Sequence, residues 1–268
     1  FDMIMIKDNH IDFAGGITDN ISAMVDGNGA ATAAFAAATD GVDDQNNAVT
    51  TDGDGDTLVT VNDKVTVAQA IIVAANTTGT MVFTLGIEDV VASLVDGNGQ
   101  HNDLATITAR TTDVIITVTD DVTVAEANII AGATTGQVDF AHADGIKDEA
   151  ANMVAVDGNE IDAFRDATKD DATSDGDGAA VITVTTAANV AQANTISAAA
   201  SGELDFAAGI EDTADSMAAA ATGNGVTAGD ETAGFTAATD DDTDTVVVVT
   251  TAANVAQANA IALATTGL

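Results

Sequence analysis

The chain of 268 residues has 43 acidic residues against six lysines and arginines, which gives it a formal net charge of −37. A negative charge of this size repels nucleic-acid phosphates and anionic membranes, so neither is expected as a partner. Hydrophobic residues make up 46% of the chain, too many for a disordered acidic chain, and no apolar run reaches the roughly 20 residues that span a bilayer.

The first predicted element is an apolar strand at residues 1–6, which has no counterpart later in the chain. A strand of this kind can add to the sheet edge of a neighbouring molecule. The alternatives are that it packs on its own first unit, or that the chain is one excerpt of a longer array. The side chains that would make the contact are Phe1, Met3, Ile4, Met5 and Ile6.

A motif of Phe followed by Gly-Ile-x-Asp comes next and occurs four times, each time with a Met or Leu shortly before a Gly-Asn turn or its equivalent. The later Met or Leu predicts a helix, which in the last copy runs from about Glu211 to Ala221. The Gly-Asn turns at 26–29 and 96–99 are interpreted as helix C-caps and turns, with a cation site as the less favoured alternative. The four copies begin at Phe13, Phe83, Phe140 and Phe206.

Acidic loops follow this motif and are the candidate cation sites. Alternating Asp and Gly at 52–56 place carboxylates at positions 1, 3 and 5 of a tight loop, and calcium binds such hard, oxygen-rich shells. The alternative interpretation is a set of solvated turns in a chain rich in Asp and Gly. No copy has the twelve-residue loop with its closing Glu, which excludes a complete EF-hand. The predicted calcium ligands are Asp52, Asp54, Asp56, Asp175, Asp177, Asp240, Asp242 and Asp244.

A second repeated motif, Val-Ala-Gln/Glu-Ala, predicts a helix after a short β-branched strand, as at 181–184 and 246–249. Asn189 and Asn254 stand at the N-cap position of this helix. Each copy ends in a small residue and Gly, which predicts a helix C′ residue with positive φ. A strand at 203–206 follows the third copy. The motif begins at Val67, Val124, Val190 and Val255.

The two motifs together give a unit of strand, helix, strand and helix, followed by a variable acidic loop. The predicted fold is therefore an α/β repeat, with tandem units of about 57–66 residues stacked into an elongated array. Residues 1–57 form a partial repeat with the extra strand, 58–113, 114–179 and 180–244 are full repeats, and 245–268 are a C-terminal half-repeat.

The two terminal half-repeats are complementary, because the last copy stops after its first helix and the first copy begins near its Phe motif. Between molecules this predicts a head-to-tail homopolymer, which propagates as a filament if it does not close. On the C-terminal side, the predicted contact residues are Ile261, Leu263 and Leu268.

Catalytic patterns are missing from the sequence, and we expect no enzyme. The three histidines, His10, His101 and His142, share no repeat position or metal-ligand spacing, and neither a Gly-x-Ser-x-Gly elbow nor a phosphate loop with a lysine occurs. The chain has no cysteine, so disulfides and thiolate metal sites are excluded.

The Val-Ala-Gln-Ala-Asn helix with its Thr-Thr-Gly stop resembles repeats in very large, acidic, cysteine-free bacterial surface and matrix proteins. The resemblance spans roughly Phe13 to Leu268 and implies an extracellular or cell-surface location, calcium-assisted folding and a structural or adhesive role.

Two functional hypotheses remain from the sequence. The first is a structural subunit of an extracellular filament, sheath or surface layer that self-assembles head to tail and is stabilised by Ca²⁺. The alternative is a calcium-dependent adhesive or ligand-binding module of a large cell-surface protein. Halophilic adaptation is a separate explanation of the charge, in which salt rather than calcium stabilises the chain.

Overall fold

A computed structural model describes residues 16–39, 58–96, 99–100, 102–111, 113–140, 145–168, 170–171, 174–175, 179–218, 232–242 and 245–265. The predicted strand at residues 1–6 lies outside them. So do six further predicted site residues, namely Asp52, Asp54, Asp56, Asp177, Asp244 and Leu268. The chain forms two compact units, one of the described residues up to Thr117 with Ala133–Val138, and the other of Val118–Gly132 with those from Asp139 onward.

The first unit begins with a parallel sheet of strand order β1-β2-β3, in which Ile17 lies opposite Val59 and Val59 opposite Met81. Strands β5 (Ile116–Val118) and β6 (Val138–Phe140) begin in this unit, and their first residues complete a sheet of order β4-β5-β6. The other elements are β1 (Ile17–Asp19), α1 (Ile21–Met24), α2 (Ala33–Thr39), β2 (Val59–Val61), α3 (Val67–Asn76), β3 (Met81–Phe83), β4 (Ile87–Asp89), α4 (Val91–Leu94) and α5 (Asn102–Thr108).

The second unit holds a sheet of order β7-β10-β11 and a two-stranded sheet β12-β13, with parallel pairing throughout, and a small antiparallel pair β8-β9. Its elements are α6 (Val124–Ala131), β7 (Ile146–Asp148), α7 (Ala150–Met153), α8 (Asp162–Thr168), β8 (Asp170–Asp171), β9 (Ser174–Asp175), β10 (Ile182–Val184), α9 (Val190–Ala199), β11 (Leu204–Asp205), β12 (Ile210–Asp212), α10 (Ala214–Met217), α11 (Ala233–Asp241), β13 (Val247–Val249) and α12 (Val255–Ala264).

The predicted mixture of helices and short parallel strands is thus confirmed. No helix in the described part of the chain has the length and apolar character needed to cross a membrane.

The predicted helix N-caps are confirmed in detail. The Asn189 side-chain oxygen accepts a hydrogen bond from the Gln192 N–H at 2.8 Å, and the Gln192 side-chain oxygen accepts one from the Asn189 N–H at 3.2 Å. This reciprocal capping box satisfies two backbone donors that the first turn of a helix leaves without partners. The same box begins α3 at Thr66, α6 at Thr123 and α12 at Asn254.

The helix predicted from Glu211 to Ala221 is wrong at its start. Residues Ile210–Asp212 form β12, because their backbone pairs with Val247–Val249, and the helix that follows is only Ala214–Met217. Each repeat also has a further helix, beyond the two predicted, within the region interpreted as an acidic loop. These are α2, α5, α8 and α11, and each buries a large side chain at the same position, namely Phe35, Leu104, Phe164 and Phe235.

The glycines that end the Val-Ala-Gln/Glu-Ala motif do not act as predicted. Neither Gly136 nor Gly202 has a positive φ, and α9 ends at Ala199 with Ala200 already extended. A Cβ atom on Gly202 would instead overlap the carbonyl oxygens of Ala179 and Ala180. Glycine is needed here because another backbone segment passes too close for a side chain.

The Gly-Asn turn after α1 forms as expected. Both Ala30 and Asn28 donate their N–H groups to one Asp26 carboxylate oxygen at 2.9 Å, and Gly29 has a φ of 75°. These two backbone hydrogen bonds hold the pKa of Asp26 below its ordinary value, because they stabilise the carboxylate form.

Arg110 closes the C-terminal end of α3. Its guanidinium donates hydrogen bonds to the carbonyl oxygens of Ala74 at 2.6 Å, of Thr77, and of Gly79 at 2.9 Å. We expect Arg110→Ala to destabilise the first unit by about 2–3 kcal/mol, because carbonyls at a helix end lose a charged donor. Urea unfolding followed by far-ultraviolet circular dichroism measures the change.

Arg165→Ala is the matched control for this prediction. It removes the same charge, but the ion pairs of Arg165 with Asp162 and Asp166 lie on the surface. Such pairs contribute less than about 1 kcal/mol. Equal destabilisation by the two variants would show that the contacts of Arg110 with the end of α3 contribute nothing beyond its charge.

Candidate assembly surface

A set of three hydrogen bonds joins three of the four Gly-Ile-x-Asp strands, β4, β7 and β12, to the residues at the start of the preceding long helix. In the first unit, Val65 donates its N–H to the Gly86 carbonyl at 3.2 Å, and Glu88 donates its N–H to the Val65 carbonyl at 2.8 Å. The N–H of Val67 donates to the Asp89 carboxylate at 3.0 Å. We name this set the repeat junction.

The repeat junction occurs twice more, within the second unit. The N–H to carbonyl distances are 3.1 and 2.8 Å in both copies, and the carboxylate accepts at 3.0 and 3.1 Å. One copy joins Val122 and Val124 to Gly145, Lys147 and Asp148, and the other joins Ala188 and Val190 to Gly209, Glu211 and Asp212.

The aspartate of Gly-Ile-x-Asp holds two chain segments together. One Asp89 carboxylate oxygen accepts from the N–H of Val90 at 2.9 Å, while the other accepts from Val67 at the first turn of α3. A carboxylate at this place also interacts favourably with the positive end of the helix dipole. The repeated Asp was visible in the sequence, but its partner 22 residues earlier was not.

β1 carries one half of a repeat junction. Gly16, Thr18 and Asp19 occupy the positions of Gly86, Glu88 and Asp89, and Gly16 has a φ of 73° against 78° at Gly86. Ile17 is partly exposed, whereas its three counterparts in β4, β7 and β12 are at most 1% exposed. Among the described residues, none completes this half from the other side.

The N-terminal end of α12 carries the other half. Ala253 and Val255 occupy the positions of Val65 and Val67, and both are exposed. The side chain of Val255 is 88% exposed, compared with 3% for Val67. In the described part of the chain, no Gly-Ile-x-Asp strand lies against these two residues.

One face of α12 is open as well. Val255, Ala258 and Ala262 are exposed, whereas the equivalent Val67, Ala70 and Ala74 of α3 are buried. Each of the other long helices is covered by the last helix of its own repeat, since α3 contacts α5, α6 contacts α8, and α9 contacts α11. We name Val255, Ala258 and Ala262 the open face of α12.

The two predicted assembly residues in α12, Leu263 and Ile261, differ in exposure. Leu263 lies next to the open face and is 73% exposed, and Ile261 is buried beneath it. Strand β13, which leads into α12, pairs with β12 on one edge and exposes Val248, and Val246 just before the strand is exposed as well.

Of the predicted calcium ligands, Asp242 is described with its side chain. It is buried, and a carboxylate oxygen accepts a hydrogen bond from the Phe206 N–H at 2.7 Å. Asp175 lies in β9 and Asp240 in α11. The described residues contain no group of three or more His, Cys, Asp or Glu side chains that would hold a metal ion, and the Asp-Gly loop at 52–56 stays a prediction from the sequence.

No protein-family model, curated protein or solved structure matches the chain, so its function has to be inferred from the repeat junction and from the surfaces that carry its two halves.

Proposed function

We propose that the chain is a non-enzymatic structural subunit of an extracellular filament, sheath or surface layer. Its repeats stack into an array that continues from one molecule to the next. The observation that carries this proposal is the open face of α12, since the same positions are buried in α3. The equivalent face is covered in α3, α6 and α9. An apolar face that stays in water costs free energy, so association that covers the face of α12 is favourable.

Calcium is the proposed stabilising ion. Copies with a net charge of −37 repel one another, and assembly therefore requires screening or neutralisation by cations. The alternating carboxylates of Asp52, Asp54 and Asp56 have the chemistry that calcium prefers. The proposed extracellular location is supported by the acidic, cysteine-free composition and by the resemblance of the repeats to those of bacterial surface and matrix proteins.

The proposal is tested by negative-stain microscopy and sedimentation of the purified chain at fixed ionic strength, with calcium, with magnesium and with excess chelator. We expect filaments or sheets in calcium that disperse when the chelator is added, because removal of bound calcium restores the repulsion between copies. Magnesium is the matched control, since it has the same charge but a strong preference for a smaller, octahedral shell.

Three other outcomes have different meanings. Assemblies that persist in chelator would keep the structural role and remove calcium from it. Assemblies that form equally in magnesium would indicate screening alone. Monomers under all three conditions would refute the structural subunit and favour the adhesive module, whose contact would be to another kind of surface.

A further inference from the structure

We infer that two copies of this chain join through an intermolecular repeat junction, in which β1 of one copy docks beside the N-terminal end of α12 of the next. Ile17 then lies opposite Ala253, and Asp19 caps the N–H of Val255. The inference rests on the proposed function, because it requires that the chain associates with itself.

The two surfaces have matching hydrogen-bonding groups. In the three internal junctions, a Gly carbonyl accepts, the residue after Ile donates its N–H, and the Asp carboxylate accepts. The corresponding groups of β1 are the Gly16 carbonyl, the Thr18 N–H and the Asp19 carboxylate. On the other surface, Ala253 offers its N–H and carbonyl and Val255 offers its N–H.

The β1 half is already in the required conformation. Gly16 has the left-handed φ of its counterparts, and one Asp19 carboxylate oxygen accepts from the Asn20 N–H at 2.8 Å, as Asp89 does from Val90. The second Asp19 oxygen corresponds to the one that caps α3 in the internal junction. A surface that is preorganised in this way loses little conformational entropy when it binds.

The helices give an independent argument for the same register. The second helix after β1 is α2, which corresponds to α5, α8 and α11, the helices that cover α3, α6 and α9. Ala38 of α2 is partly exposed, whereas its counterparts in α5, α8 and α11 are fully buried. Placing β1 beside Ala253 therefore also brings α2 toward the open face of α12.

A second copy is the occupant that this evidence favours, because the contact continues an interface that the chain already forms three times within itself. The contact is heterologous, since different surfaces meet, and a dimer joined by one such contact still carries one unpaired half on each copy. Such a contact generates a ring or an open filament.

Cysteine pairing tests the register, because the chain has no cysteine of its own. We expect Ile17→Cys and Ala253→Cys chains, mixed under mild oxidation, to form a disulfide-linked dimer. Residues opposite each other in neighbouring strands lie within the Cα separation that a disulfide spans, about 4.4–6.8 Å. Leu85→Cys, at another exposed position, mixed with Ala253→Cys measures chance collision and is expected to give no link.

An internal control shows whether this geometry allows the bond. Val65 and Ile87 form the same bridge within the first unit, so a chain with both Val65→Cys and Ile87→Cys is expected to form an intrachain disulfide. If this link forms and the mixed chains stay unlinked while sedimentation still shows self-association, the register is refuted and the proposed function survives. If the wild-type chain stays monomeric, both are refuted.

A charge-matched pair of variants tests the role of Asp19. Asp19→Asn leaves one carbonyl oxygen for two N–H donors, and we expect it to weaken association about tenfold, the size of a lost helix cap. Asp205→Asn removes the same charge from an exposed position in β11, and lower repulsion is expected to leave association equal or stronger. Association of Asp19→Asn that is as strong as that of Asp205→Asn would overturn the inference.

Discussion

Gly86→Ala is expected to destabilise the first unit by about 3 kcal/mol, the sum of left-handed backbone strain and steric overlap. Gly86 has a φ of 78°, and a Cβ atom there would lie 3.1 Å from the carbonyl carbon of Ile115 and overlap its oxygen. That carbonyl accepts the Ile87 N–H at 2.9 Å, so relief of the overlap would disturb the pairing of β4 with β5. Urea unfolding measures the loss.

Two other glycines of the same unit separate the causes. Gly29 has a φ of 75° with no atom within 4 Å of a Cβ, and Gly27 has neither a positive φ nor a close neighbour. We expect Gly29→Ala to cost about 1 kcal/mol and Gly27→Ala less than about 0.5 kcal/mol. Equal effects of Gly86→Ala and Gly29→Ala would show that the approach of Ile115 to Gly86 carries no cost.

Phe164→Ala is expected to destabilise the second unit by about 3–5 kcal/mol, because it removes a fully buried aromatic side chain and leaves a cavity. Phe164 has no exposed surface, and its helix α8 packs on α6. The small Ala and Val residues that dominate this core have short side chains and fill such a cavity poorly. Urea unfolding by circular dichroism measures the change.

Phe164→Leu is the matched control, since the previous repeat has a fully buried Leu104 at the same position. A swap between large apolar residues costs less than about 1.5 kcal/mol. If Phe164→Ala cost no more than Phe164→Leu, α8 would contribute little to the stability of the second unit.

The parts of the fold that could be predicted depend on local sequence. The capping boxes at Asn189 and Asn254 form between residues three positions apart, and the short runs of β-branched residues before them become β10 and β13. Interactions over so few residues are visible in a sequence as spacing and residue type. The repeat is visible in the sequence for the same reason.

The further helix of each repeat could not be predicted because its sequence alone does not stabilise a helix. Helices α2, α5 and α8 have seven residues, and isolated helices shorter than about 12 residues are marginal in water. They form because the side chains of Phe35, Leu104 and Phe164 are buried in the core of the folded chain, and this burial stabilises the helices. The spacing of Phe164 and Ala167 was the available signal, but it spans less than one turn.

The sequence by itself determined the repeat, the acidic surface and the helix starts, since each depends on composition or on neighbours a few residues apart. Only the tertiary structure decided why Gly86 must be glycine and what Asp89 does, because their partners are the Ile115 carbonyl and the Val67 N–H. The two halves of the repeat junction, at Asp19 and at Val255, can likewise be recognised only in the tertiary structure. Their role is defined by hydrogen-bonding edges, which exist only once distant segments of the chain have come together.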